Sequence, residues 1–154
     1  MSQSKSHELM VLSIHPRHLA NIMSGAKTVE LRRTRPTALP GQPVALYATA
    51  PTSAVVATCT IESIEVGSPA AIKRQELLAS KIDSDDFDSY FNDCEQAVAI
   101  RLTRVARLPS PITLAELREA DNWHPPQTWH FLAWERLLEV LGKHPSLAHL
   151  GALL

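Results

Sequence analysis

The sequence has few of the features that define several protein classes. It contains only two cysteines, Cys59 and Cys94, and neither belongs to a C-x-x-C or Cys/His pattern. This excludes a disulfide-stapled fold, and we expect reduced thiols in the cytoplasm. No apolar run approaches the roughly 18 residues of a membrane span, and the opening MSQSKSHELM lacks the apolar run of a signal peptide. We therefore expect a soluble cytoplasmic protein without a membrane partner.

The sequence also lacks an excess of either charge. Its 15 Lys and Arg residues nearly balance 16 Asp and Glu residues. It therefore lacks the overall positive charge that proteins binding nucleic acid non-specifically often have. The charges are nevertheless segregated. Lys27, Arg32, Arg33 and Arg35 cluster early, whereas residues 83–95 hold six acidic side chains and no Lys or Arg. An anionic partner must therefore be held by a local patch.

The length and the order of the apolar segments predict one α+β domain. The chain of 154 residues is 45% hydrophobic, which is enough to build a single core. We therefore predict one domain over residues 1–154, in which residues 1–7 are a polar leader. The early segments ELMVLSI, HPRHLANIMSG and KTVELRR read as strand, short helix and strand. Further β-rich runs follow with little regular βαβ alternation, which favours a mixed or antiparallel sheet.

The C-terminal segment, residues 113–154, is predicted as a helical extension of this domain. Thr113 and Glu116 match a capping box. A double proline then interrupts the chain, and apolar residues at helical spacing predict an amphipathic helix from Trp129. Trp123 and Trp129 either anchor this helix to the core or cover a cleft as an aromatic lid.

The stretch SGAKTVELRR, residues 24–33, concentrates the chemically useful side chains. Gly25 is suited to ending the helix, and strand alternation then places Glu30 and Arg32 on one face, about 6 to 7 Å apart. Lys27 suits a phosphate ligand, a steering charge or a general base, and Arg32 offers a planar fork to phosphate or to a base edge. A solvated strand face explains the same residues, so the spacing alone leaves both interpretations open.

The longer stretch LSIHPRHLANIMSGAKTVELRR resembles the signature of the ASCH domain family, within the PUA-like superfamily. That signature places G-x-K-x-x-E-x-R after an apolar strand, a proline and a short helix, and Gly25, Lys27, Glu30 and Arg32 match it in order and spacing. The similarity continues more loosely through PGQPVALYATAP. It implies a small mixed or antiparallel β-barrel flanked by helices, with a cleft lined by the motif residues and Tyr47.

The resemblance also implies a function with RNA, because the family is associated with RNA binding. Our first prediction is a protein that binds RNA, most simply single-stranded, or a nucleotide-like ligand in the cleft. The alternative is a hydrolase, either a metal-independent ribonuclease or an amidohydrolase of N4-acetylcytidine, with Lys27 and Glu30 as its catalytic residues. The predicted binding residues are Lys27, Glu30, Arg32, Arg33, Arg35 and Tyr47.

Two further sets of residues bear on these alternatives. In the amidohydrolase branch a threonine stands where this chain has Glu30, and a downstream carboxylate takes part, for which Glu76, Asp83 and Asp85 are candidates. The seven histidines form no H-x-x-x-H pair, so we predict no metal and no cofactor. His15 ends the first strand beside the motif and would need a nearby partner to act as a base.

A third hypothesis belongs to a different class, a protein-interaction adaptor. Aromatic residues at helical spacing within residues 83–95 predict a short helix with an acidic outer face. That face and the tryptophan-rich C-terminal segment are the candidate surfaces for a protein partner.

Overall fold

The computed structural model describes residues 8–120 and 123–153, so the predicted leader lies outside the described residues. The six strands are β1 (Glu8–Ile14), β2 (Val29–Arg32), β3 (Pro43–Ala48), β4 (Ala54–Gly67), β5 (Ala97–Thr113) and β6 (Trp129–Ala133). The helices of the described part are α1 (Pro16–Ser24), α2 (Pro69–Ser80), α3 (Ser84–Tyr90), α4 (Leu114–Ala120), α5 (Trp134–Leu141) and α6 (Leu147–Gly151).

The strands form one mixed sheet in the order β2-β5-β4-β3-β1-β6. β1 pairs in parallel with β3, with Met10 opposite Val44, and the other neighbours are antiparallel. The predicted mixed sheet flanked by helices is confirmed, but its closure into a barrel is wrong. β6 pairs with the free side of β1, so β2 and β6 are the two edges of an open sheet.

The first strand, helix and strand form as the sequence predicts, and their local caps have identifiable causes. His15 accepts a hydrogen bond from the Arg17 amide at the start of α1, and Pro16 occupies the first turn. Gly25 ends the helix in the left-handed conformation, with φ at 86°. The chain then turns directly into β2, which brings the motif beside the end of β1.

Hydrophobic packing covers the face of β2 opposite to Glu30 and Arg32. Val29 and Leu31 are buried and pack in one cluster with Ile72 of α2 and with Phe87 and Phe91 of the acidic segment. Burying a large aliphatic side chain stabilises a fold by about 1.5 to 3 kcal/mol. This packing fixes the orientation of β2, so the alternate side chains of the strand point to the opposite face.

The C-terminal segment differs from its prediction because it contains β6. The predicted helix from Trp129 is wrong for residues Trp129–Ala133 and begins only at Trp134. Trp129 and Phe131 pack against one core cluster and Leu132 against another, so these side chains alternate as they do in a strand. Residues 113–154 therefore extend the sheet as well as the helices. None of the helices within the described ranges is long and apolar enough to cross a membrane.

Candidate functional site

Lys27 lies beneath the surface, between β2 and α2. The residue is 1% exposed, and its Nζ donates a hydrogen bond to the Ser80 carbonyl oxygen at 2.5 Å. Nζ also lies 3.7 Å from Oε1 of Glu30. Burial lowers the pKa of Lys27 from its ordinary value, although the neighbouring Glu30 carboxylate opposes this shift. The ammonium group is thus held by protein groups at the back of the site.

Glu30 joins this lysine to Arg32. Its Oε1 accepts a hydrogen bond from the Leu31 amide at 3.1 Å, and its Oε2 accepts one from Arg32 Nη2 at 3.2 Å. The same Nη2 donates to the Ser13 carbonyl oxygen of β1 at 2.8 Å. The network therefore spans the gap between β1 and β2, where the sheet has no backbone pairing.

A cleft of about 460 Å³ opens over this network. It lies at the end of β1 and the start of α1, and β2, α3 and the segment before β6 contribute to its walls. Its lining residues are Ser13, Ile14, His15, Arg17, His18, Glu30, Leu31, Arg32, Thr49, Ile82, Asp86, Tyr90 and Gln127. Its size falls within the range of small-ligand sites.

Two histidines line the same cleft. The ring centroids of His15 and His18 are 6.1 Å apart, with an edge-on arrangement. His15 is exposed and its Nδ1 accepts the Arg17 amide, whereas Nδ1 of His18 is buried and has no hydrogen-bond partner within the described residues. Burial lowers the pKa of His18, and the charge of Lys27 lowers it further. This environment therefore favours the neutral form of His18.

Arg33 contacts Tyr90, a residue that lines the cleft. Its Nε donates to the Tyr90 carbonyl oxygen at 2.8 Å, and its guanidinium carbon lies 4.1 Å from the centre of the Tyr90 ring. Tyr90 lines the cleft, so Arg33 presents its charge next to an aromatic side chain. Arg35, two residues further along the chain, is exposed.

Comparison with known proteins identifies the family. No family model matches the chain. A curated protein of Zymomonas mobilis, named an ASCH domain-containing ribonuclease, is 32% identical over 131 residues, which cover 84% of this chain and 86% of the relative. The chain belongs to the ASCH domain family. The resemblance seen in the motif is thereby confirmed.

Solved structures agree with this assignment. The crystal structure of ASCH from Zymomonas mobilis superposes with a TM-score of 0.81 at 28% identity, covering 89% of this chain and 96% of that one. The N-terminal domain of Staphylothermus marinus McrB reaches a TM-score of 0.53 at 10% identity, covering 88% of this chain and 93% of that one. The second similarity concerns the fold alone.

In this ASCH domain the predicted site residues do not all meet. Lys27, Glu30 and Arg32 form one connected network, but only Glu30 and Arg32 are among the residues that line the cleft. Tyr47 is 2% exposed, and its ring packs 5.6 Å from that of Trp123 in a separate core cluster. The structure therefore places Tyr47 in the core, where its ring is not available to stack on a ligand.

The downstream carboxylates considered for an amidohydrolase have other environments. Glu76 is buried on α2 and accepts two hydrogen bonds from Arg101 Nη2, at 2.8 and 3.0 Å. Asp83 precedes α3 and Asp85 lies in its first turn, both exposed. Among the described hydrogen bonds and ion pairs, Lys27 contacts Glu30 and Ser80 rather than any of these three.

Sequence reasoning missed several residues that line the cleft of the ASCH domain. His18 stands three residues after His15 on α1, and this helical spacing beside the motif was a signal that both share one face. Thr49 and Gln127 carried no such signal, because they reach the cleft through the pairing of β3 and β6 with β1. No cluster of three His, Cys, Asp or Glu side chains suited to a metal occurs within residues 8–120 and 123–153.

Proposed function

We propose that this ASCH domain binds single-stranded RNA in the cleft between β1 and β2 and cleaves it. The observation that carries the proposal is the buried network of Lys27, Glu30 and Arg32 at the base of a nucleotide-sized cleft. The similarity to a protein named a ribonuclease, at 32% identity over most of both chains, supports RNA as the ligand. The same similarity favours the hydrolase over a protein that only binds RNA.

Positive charge around the cleft suits the phosphate groups of RNA. Arg32 keeps 11% of its side chain exposed at the cleft floor, and its guanidinium has donors beyond those used for Glu30 and Ser13. Arg17 lines the cleft from α1, and Arg35 is exposed nearby in sequence. A planar guanidinium held by protein acceptors is pre-positioned for a phosphate oxygen.

Lys27 has an indirect role in this proposal. Its ammonium is buried against Ser80 and Glu30, so a phosphate or a sugar hydroxyl does not reach it without displacing protein contacts. Lys27 instead balances the charge of Glu30, and Glu30 orients Arg32 toward the cleft. We therefore treat Lys27 and Glu30 as positioning residues, whereas the sequence analysis considered them as the catalytic residues of a hydrolase.

Cleavage of a fluorescently labelled single-stranded RNA tests the proposal. We expect the wild-type protein to cleave RNA and to leave DNA of the same sequence intact. Arg32→Gln should slow cleavage on the order of 100-fold, the usual effect of losing a donor that stabilises transition-state charge. Arg118→Gln is the matched control, because Arg118 is exposed on α4 and its loss changes the net charge equally.

The outcomes separate the competing functions. RNA binding without cleavage would indicate a protein that only binds RNA. Equal slowing of cleavage in both arginine variants would indicate a general effect of charge. Turnover of N4-acetylcytidine without RNA cleavage would favour the amidohydrolase. A pull-down partner lost on neutralising Asp85 and Asp88 of the exposed acidic face would favour the adaptor.

A further inference from the structure

The buried nitrogen of His18 stands out among the polar atoms of the cleft. Its Nδ1 is shielded from solvent and has no hydrogen-bond partner within the described residues, yet the side chain lines a cleft of about 460 Å³. Because Nδ1 is closed to solvent, a ligand in the cleft would meet the imidazole through its other ring nitrogen, Nε2, which makes no hydrogen bond to protein among the described residues.

Three titratable side chains close to His18 already have protein partners. Glu30 is contacted by the Leu31 amide, by Arg32 and by Lys27, so both of its oxygens already have protein partners. The ammonium of Lys27 is buried behind it. His15 uses Nδ1 to accept the Arg17 amide. His18 is left as the neutral group best placed to receive a proton from a ligand.

We propose that His18 is the catalytic base of RNA cleavage, an assignment that rests on the proposed function. The imidazole takes the proton of the ribose 2′-hydroxyl while the 2′ oxygen bonds to phosphorus. The bond between phosphorus and the 5′ oxygen then breaks, and the proton held by His18 passes to the departing 5′ oxygen. The products are a 2′,3′-cyclic phosphate and a 5′-hydroxyl, and no further reactant is required.

The charges around His18 suit both halves of this proton transfer. Lys27, Arg17 and His15 disfavour the imidazolium, whereas Glu30 favours it. Arg32 and Asp86 also line the cleft, from β2 and α3. Because burial and the nearby cations lower the pKa of His18 below 6.5, the free imidazole is ready at neutral pH. The same environment makes the imidazolium a good donor to the leaving oxygen.

Replacement of His18 by glutamine tests the assignment. We expect His18→Gln to bind RNA with little change in KM and to lose about 100- to 10,000-fold in kcat, the range for general acid–base catalysis. His149→Gln, on α6, is the matched control and should retain wild-type cleavage. The kcat/KM of the wild type should rise with pH as one group with a pKa below 6.5 loses its proton, and this rise should be absent in His18→Gln.

The results that overturn the assignment are distinct from those that overturn the proposed function. A wild-type protein that does not cleave RNA removes both. Cleavage by wild type and by His18→Gln at equal rates removes His18 alone. If the variant does not fold, two measurements on the wild-type protein still test the proposed base. Cleavage products that end in a 3′-hydroxyl, or a cleavage rate that stays constant from pH 4.5 to pH 7, would contradict it.

Discussion

Removing the carboxylate of Glu30 perturbs the buried charge network most sharply. Glu30→Gln preserves the size of the side chain but leaves the Lys27 ammonium, whose side chain is 0% exposed, without its anion 3.7 Å away. At that distance and an effective dielectric constant of about 20, the attraction is about 4.5 kcal/mol. Breaking a buried pair from one side typically costs about 3 to 5 kcal/mol. We expect a loss of that size in the free energy of unfolding.

A double-mutant cycle separates this interaction from general disruption. Lys27→Met removes the buried cation with little change in volume, so Glu30→Gln should cost about 1 to 3 kcal/mol less in that background than in the wild type. Urea-induced unfolding of the four proteins measures the coupling. The control is Asp88→Asn, which breaks a surface pair with Lys73 at 2.8 Å and should cost less than about 1 kcal/mol. A coupling below about 0.5 kcal/mol would refute the reasoning.

Three further predictions concern other parts of the chain. Burial lowers the pKa of His18 and His130 below 6.5, so the folded state binds fewer protons than the unfolded chain as the pH falls below 6.5. The free energy of unfolding should therefore decrease from pH 7 to pH 5, and the decrease should be smaller in His130→Gln. The same dependence of the free energy on pH in the variant and the wild type would contradict this. Burial raises the pKa of the Cys59 thiol to about 12. A disulfide reagent at pH 8 should therefore modify Cys94 alone in the folded protein and both thiols in denaturant. Modification of both thiols in the folded protein would disprove this prediction. Thr113 donates to and accepts from Glu116 in a capping box, so Thr113→Ala should cost about 1 kcal/mol on urea unfolding, and no change would show that the cap is dispensable.

The parts of the fold that depend on neighbours in sequence were predictable. Gly25 ends α1, and the alternation from Val29 to Arg32 correctly separated a packed face from a polar one. The capping box at Thr113 also formed as predicted. In each case the deciding interactions lie within a few residues, so the local pattern contains the information.

The parts that depend on distant pairing were not predictable. The segment from Trp129 has apolar residues compatible with a helix, yet it pairs with β1. It thereby forms one of the two edges of the open sheet. Nothing in the motif indicated that α2 supplies the Ser80 carbonyl oxygen that holds Lys27 beneath the cleft. Tyr47 was likewise assigned to the cleft, although its ring packs against Trp123, a partner 76 positions away in the sequence.

The location of bound RNA tests the central claim most directly. Backbone amide shifts of the ¹⁵N-labelled protein should be followed by NMR during titration with a single-stranded RNA whose 2′-hydroxyl groups are methylated, so that binding is observed without cleavage. The account predicts that the largest shifts fall on residues 13–18, on 30–32 and on Gln127, which line one cleft or lie on its walls. Shifts confined to α2 or to the C-terminal helices, with these amides unmoved, would contradict it.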